Sequence, residues 1–293
     1  MEIGLMCTGG TPEVVSRYAE TAEAAGYASL WAAEHVVFFE DYAPNYPYAE
    51  GGRPPMNIET GMMEPLNLLS FLAARTTRVR LATGVFLLPQ RNPVYTAKEA
   101  ATVDVLSGGR LDLGIGVGWL REEMEAVAVP YERRGARCDE YIEILRRLWT
   151  ERLAEYSGEF YELAACAQEP HPVQTPHPPI LIGGTSPAAL RRAARLGDGW
   201  VAINLSPEDA AERIQRITAQ RQASGGTMEG FRSTLMAVNF PITPEDLPAY
   251  RDAGIDQIVL PPMKDEVVLK TAEDLYGIVE EIAEQYVVAA QKL

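Results

Sequence analysis

Apolar strand-like runs alternate with helix-like segments eight times along this chain of 293 residues. The strand-like runs fall at 3–6, 29–33, 79–88, 111–117, 180–182, 200–203, 234–239 and 257–260. The helix-like segments fall at 12–25, 65–75, 94–106, 134–150, 188–196, 208–223, 245–253 and 271–291, with a short extra helix near 122–127. Strands joined through helices run parallel, because a tight hairpin cannot connect them. Eight such units predict an α/β fold, a (β/α)8 TIM barrel. A doubly wound open sheet is the competing arrangement. Its dinucleotide fingerprint is missing: no G-x-G-x-x-G follows the first strand, and after Gly114 and Gly116 the third position of the pattern falls on Trp119. No composition shift or polar linker divides the chain, so residues 1–293 read as a single domain.

Local signals agree with the alternation. Thr11 reads as an N-cap, with Pro12 in the first turn and Gly26 just past the end. Ser206-Pro207 and Thr243 read as further helix starts. Regularity fails in two insertions, one after strand two and one after strand four. The first, 36–64, carries Pro44, Pro47, Pro54 and Pro55 together with Tyr42, Tyr46 and Tyr48. An irregular loop this long is functional or disordered, and its aromatic residues argue for a lid over a pocket. The second, 155–179, reads as irregular throughout.

A barrel places its chemistry at the carboxyl ends of its strands. There the sequence sets Cys7 and Thr8, Glu34 and His35, Gly84 to Phe86, Gly118 and Trp119, Gly183 to Ser186, Asn204, Asn239, Pro261 and Pro262. His35 is suited to proton transfer near neutral pH; the competing role is a hydrogen-bonded core histidine. The turn Gly183-Gly184-Thr185-Ser186 joins a strand to a helix, so its N–H groups suit a phosphate, or else Ser186 is an ordinary N-cap. Thr83-Gly84-Val85 puts a glycine in mid-strand, the mark of a bulge or of close packing. Gly114, Gly116 and Gly118 either admit a ligand or relieve crowding inside the barrel. Arg133, Arg134 and Arg137 read as solvated ion pairs with Glu132, Asp139 and Glu140.

Charge narrows the partners. A net charge of −15 argues against nonspecific nucleic-acid binding. No run approaches the ~18 apolar residues of a membrane span, and the first residues show no basic segment followed by an apolar one. Cys7, Cys138 and Cys166 share no metal or redox spacing, which suggests reduced thiols in the cytoplasm. His35, His171 and His177 are too dispersed for a zinc site, so no metal is expected. A small-molecule substrate is the expected partner.

Five blocks resemble a known family: WAAEH (31–35), TGVFLLPQRNP (83–93), AKEAATVDVLSGGRLDLGIGVGW (97–119), RRGARCDEYIEILRRLW (133–149) and PPILIGGTSPAALRRAARLGDGW (178–200). They are similar to the bacterial luciferase-like flavin monooxygenase superfamily, in the branch that uses the deazaflavin coenzyme F420. The resemblance implies a barrel enzyme, usually a homodimer, that moves a hydride between F420 and a small organic substrate. It implies a non-prolyl cis peptide at Gly84–Val85, with Thr83, Gly84, Val85, Gly118 and Trp119 at the cofactor ring and Gly183, Gly184, Thr185 and Ser186 at its phosphate. It gives the catalytic pair as His35 and Glu34, with Glu34 orienting the histidine or touching the cofactor. Trp119, Glu122 and Phe38 are assigned to the substrate pocket. Some sugar-phosphate dehydrogenases of the family carry a catalytic Glu where this chain has Trp119, and an indole cannot donate that proton. An FMN-dependent monooxygenase using O2, and a non-catalytic flavin-binding protein, are the alternatives.

Overall fold

The computed structural model describes every residue except Thr8, Pro55, Asn57, Asn239 and 264–270. Thr8 and Asn239, two of the strand-end residues named above, therefore lie outside the described residues. The barrel strands are β1 (Glu2–Met6), β2 (Ser29–Ala32), β3 (Arg80–Thr83, resumed after a bulge as Phe86–Leu87), β4 (Leu111–Gly116), β5 (Ile180–Gly183), β6 (Gly199–Ile203), β7 (Arg232–Met236) and β8 (Gln257–Leu260). Each pairs in parallel with the next. β8 pairs with β1, in the register Ile3 to Ile258, and this closes the ring.

Period-two alternation divides the apolar residues between two layers. Leu30, Leu81, Leu113, Ile182, Trp200, Leu235 and Ile258 belong to the layer between strands and helices. Trp31, Ala82, Leu181, Val201, Met236 and Val259 form a second, smaller cluster that fills the barrel interior. The Trp31 indole, too polar to be buried bare, donates to Ser29 Oγ on the same face at 2.6 Å. Below this layer Asp112, on the amino-terminal half of β4, accepts from Arg80 Nη2 at 2.5 Å and forms an ion pair with Arg232 Nη2 at 2.5 Å. A carboxylate shared by two guanidinium groups closes the barrel floor.

The wall made by β3, β4 and β5 is built differently. Three of its inward positions above the floor are glycines, Gly114 and Gly116 on β4 and Gly183 on β5 beyond Leu181, and the space is taken by β3. The Thr83 carbonyl oxygen would lie 2.1 Å from a Cβ on Gly114. A Cβ on Gly116 or Gly183 would fall 2.6 Å or 2.8 Å from the Val85 side chain. Crowding by this bulge, which contains the cis peptide Gly84–Val85, explains why these positions are glycine.

The helices begin where the capping signals place them. Thr11 accepts from Val14 N–H before α1 (Pro12–Ala24), Ser186 caps the helix Pro187–Leu196, and Ser206 caps Pro207–Ala223. Gly26 takes φ +89° at the end of α1. Three readings need correction. The strand expected over 79–88 is broken by the bulge. The insertion expected to be irregular over 155–179 carries an antiparallel hairpin, Ala154–Ser157 with Glu162–Cys166. The last helix is interrupted by a π-helical turn, Ala283–Val287.

The crowded wall sets a prediction. Gly116→Ala meets only a side chain, so it should cost about 1–3 kcal/mol, and adding Val85→Ala should restore much of that loss. Gly114→Ala meets backbone, and no side-chain change should rescue it. Urea unfolding of the single and double variants separates the two cases.

Candidate active site

β2 delivers Glu34 and His35 to the barrel mouth, and the structure gives them separate tasks. Glu34 is buried, and its Oε2 accepts from Leu87 N–H at 2.5 Å. Its Oε1 accepts from Arg91 Nε at 2.8 Å and also pairs with Arg91 Nη2. Arg91 lies over the Phe86 ring at 4.3 Å and reaches Glu64 at 3.0 Å. Glu34 therefore ties β2 to the strand beyond the bulge, where the β2–β3 ladder has ended at Ala32–Thr83. Burial pushes the Glu34 carboxyl up, while Arg91 and the Leu87 N–H draw it back. The expectation that Glu34 orients His35 is corrected here, because its polar atoms are engaged elsewhere.

The carboxylate on His35 belongs to Glu123, which the sequence reading did not single out. Glu123 is buried on the short helix Arg121–Ala126. Its Oε2 lies 3.1 Å from His35 Nδ1, and its Oε1 accepts from Val36 N–H at 2.6 Å. Among the described residues, Nε2 of His35 has no hydrogen-bond partner. The neighbouring Glu122 accepts from Ala43 N–H at 3.0 Å, which places it on the lid backbone. Phe38 packs on the His35 ring at 5.0 Å, and Trp119 meets it edge-on at 5.9 Å. Three of the expected residues, His35, Phe38 and Trp119, thus meet in one aromatic group.

The insertion 36–64 lies across the mouth and is moored at five strand ends, one of them beyond β6, where Asn204 Nδ2 donates to Tyr48 O at 3.5 Å. Gly61 crosses Gly9 beyond β1 so closely that a Cβ on Gly9 would lie 2.8 Å from its carbonyl oxygen. Glu64 reaches Arg91 beyond β3. Tyr42 and Tyr46 pack edge-on against Trp119 beyond β4, at 5.7 and 5.2 Å. Tyr48 reaches the turn beyond β5, where its hydroxyl is hydrogen-bonded to the backbone and side chain of Thr185. Burial pushes the Tyr46 phenol up to about 12 and raises Tyr48 against the pull of Thr185, so both phenols are neutral near pH 7.

The turn itself is tight: a Cβ on Gly184 would lie 3.0 Å from Ala189 Cβ and 3.5 Å from the Tyr48 hydroxyl. Gly184 has φ +114°, a conformation that L side chains rarely adopt, and its carbonyl accepts from Trp200 Nε1 at 2.8 Å. Gly184 N–H is used by Val201 O, and the Ser186 hydroxyl caps Ala189 N–H. Thr185 meets the lid through its contacts with the Tyr48 hydroxyl. The bulge and the turn meet through Val85, which packs on Gly183; Gly84 and Val85 are half-buried, whereas Thr83 and Phe86 on either side are fully buried. Gly118, at φ +75°, gives its carbonyl to Arg134 Nε at 2.9 Å.

The arginine cluster is also corrected. Only Arg133 forms a surface pair, with Glu159. Arg134 stacks on Tyr131 at 3.7 Å. Arg137 is buried and donates to the carbonyls of Pro89, Pro130 and Glu132. Asp139 pairs with Arg192 and Arg195 instead. Among the described residues no three His, Cys, Asp or Glu side chains are grouped to hold a metal ion, and no helix is long and apolar enough to cross a membrane.

Glu34 gives a test of the buried pair. Arg91→Met should destabilise the protein by about 3–5 kcal/mol near neutral pH, because it strands a buried carboxylate. The variant's Glu34 then has a folded pKa still further above its unfolded value. Stability that depends on the neutral acid is present at low pH and lost as pH rises, so the deficit should shrink as pH falls toward about 5. Urea unfolding across that range is the measurement.

Comparison with known proteins places this architecture. The chain is 38% identical over 209 residues to an uncharacterized protein of Mycobacterium tuberculosis, covering 71% of this chain and 72% of that one. It is 31% identical over 197 residues to the F420-dependent glucose-6-phosphate dehydrogenase of Amycolatopsis mediterranei, covering 65% of this chain and 53% of that one. It is 30% identical over 165 residues to the FMNH2-dependent dimethylsulfone monooxygenase of Pseudomonas putida, covering 55% and 45%. The family model of the luciferase-like monooxygenases matches residues 2–285, and the chain belongs to that family.

Proposed function

We propose that this protein is a coenzyme F420-dependent oxidoreductase acting on a small organic substrate, with His35 as its acid–base group. The observation that carries the reading is the His35 ring: its side chain is 8% exposed beneath the lid, with Nδ1 held by Glu123. Nε2 is left to give or take a proton. The residues fit a deazaflavin. Gly183–Ser186 offers a glycine turn at a helix start, and its Thr185 donors, which meet the neutral Tyr48 hydroxyl, would turn to a phosphate there. The bulge at Gly84 and Val85, with Gly118 and Trp119, supplies the wall for the ring. When bound, the cofactor would supply hydride transfer. The chain's own part is to orient both reactants, exclude water beneath the 36–64 lid, and exchange the coupled proton at His35. Thr83 acts from behind the bulge by donating to Gly114 O at 2.7 Å, and Glu34 acts through the Arg91 and Leu87 contacts.

Phe38, Trp119, Tyr42 and Tyr46 make the substrate side aromatic, which suits a partly apolar or planar molecule. Glu122 shapes that side by holding Ala43. The sequence blocks 31–35 and 83–93 favour the deazaflavin over FMN. The likeness to the Pseudomonas putida enzyme favours FMN and oxygen as the second reading. Three free cysteines support a cytoplasmic protein. A homodimer is part of the proposal, because Phe71, Tyr95 and Leu106 expose apolar surface on the helices Pro65–Ala73 and Pro93–Ser107.

The test is a paired titration of the apoprotein with F420 and FMN, followed by cofactor fluorescence. Tight binding of F420 alone is expected; preference for FMN moves the protein to the second reading. His35→Asn should keep cofactor affinity and lower turnover by at least ~10²-fold. Unchanged turnover would remove His35 from the mechanism.

A further inference from the structure

We propose that Glu123 is the positioning residue for His35, fixing its ring as the Nδ1–H tautomer so that the bare Nε2 is the atom that takes up and returns the proton. The inference rests on the role proposed above for His35.

The contacts of Glu123 call for a hydrogen on Nδ1. Both oxygens of Glu123 are directed at consecutive residues: Oε1 takes the Val36 N–H at 2.6 Å and Oε2 faces His35 Nδ1 at 3.1 Å. An ionised carboxylate only accepts, so the nitrogen facing it must carry hydrogen. The Val36 N–H prevents the carboxylate from rotating away, since turning it would cost that bond. Burial strengthens the constraint: the Glu123 side chain is 1% exposed, so no bulk water competes for either oxygen. Phe38 and Trp119 pack on the ring and limit its own rotation. The arrangement parallels the general case of a base oriented by a third group. It differs from a purely structural ion pair because Nε2 remains without a partner among the described residues.

Glu122 and Glu123 are adjacent on the same short helix but have different targets. One holds the lid backbone at Ala43, and the other holds the His35 ring together with the backbone of Val36, the lid's first residue. Only Glu123 should govern the imidazole.

The experiment is nitrogen NMR on protein labelled with 15N-histidine. Three histidines make the spectrum small, and His35→Asn assigns the signal. At about pH 8, where an ordinary imidazole is neutral, wild-type His35 should show a protonated Nδ1 and an unprotonated Nε2. In Glu123→Gln the amide oxygen can keep Val36 N–H, which turns the NH2 group toward Nδ1, so the pattern should reverse. Glu122→Gln should leave it unchanged. Turnover of Glu123→Gln should fall by ~10²-fold in kcat, with cofactor affinity and KM nearly unchanged. A wild-type His35 protonated at Nε2, or a Gln variant with the wild-type pattern, overturns the inference. The wild-type spectrum decides even if the variant does not fold. No cofactor is needed for it, so a protein that binds neither F420 nor FMN but shows the expected tautomer would lose the proposed function and keep this assignment.

Discussion

Contact between the strand-three bulge and the glycines opposite it is the constraint on which the barrel mouth depends. Inward-facing side chains normally fill a barrel of this size in layers. Here the layer is completed on one side by Val85 and the Thr83 carbonyl, and β4 and β5 give up their side chains to admit them. That exchange brings strand three inward near the ligand end. It also removes strand three from its ladder with β2, and Glu34 meets the resulting need by bonding Leu87 N–H and Arg91. The blocks 31–35 and 83–93, separate in sequence, are thus one mechanical unit.

Two carboxylates divide the support of the site. Glu34 acts on strand three and leaves the neighbouring histidine alone. Glu123 comes from beyond β4 and reaches His35 across 88 positions of chain. Burial makes each arrangement demanding, because an unpaired carboxylate in either place would be costly. The pairing of each with N–H donors is therefore specific, and it fixes strand three in one case and an imidazole ring in the other.

Much of this was legible in the sequence. Strand order, the helix starts at Thr11, Ser186 and Ser206, and the two insertions follow from local periodicity and capping. The glycine turn and His35 followed from their places at strand ends, and the cis peptide from the blocks that resemble the family. Glu123 was not legible. It lies beside Glu122 on a six-residue helix, and only the folded path decides which of the two meets the ring. Arg137 read as a surface cation because its partners are backbone carbonyls, which leave no signature in side-chain charge. The 154–166 hairpin was missed because its strands are only four and five residues long and largely exposed.

The aromatic contacts of the lid have a consequence for how such a protein can diversify. Thr185, Tyr48, Tyr46, Trp119 and His35 form an unbroken series of neighbours from the turn beyond β5 to the histidine beyond β2. A lid residue in the middle of that series, such as Tyr46, touches both halves. Substitutions there are inherited as a package: a mutation selected for a new substrate also alters the neighbour of the glycine turn. Substrate range and turn chemistry would then evolve as epistatic traits, and recombining lids among relatives would succeed only when both partners of the series travel together.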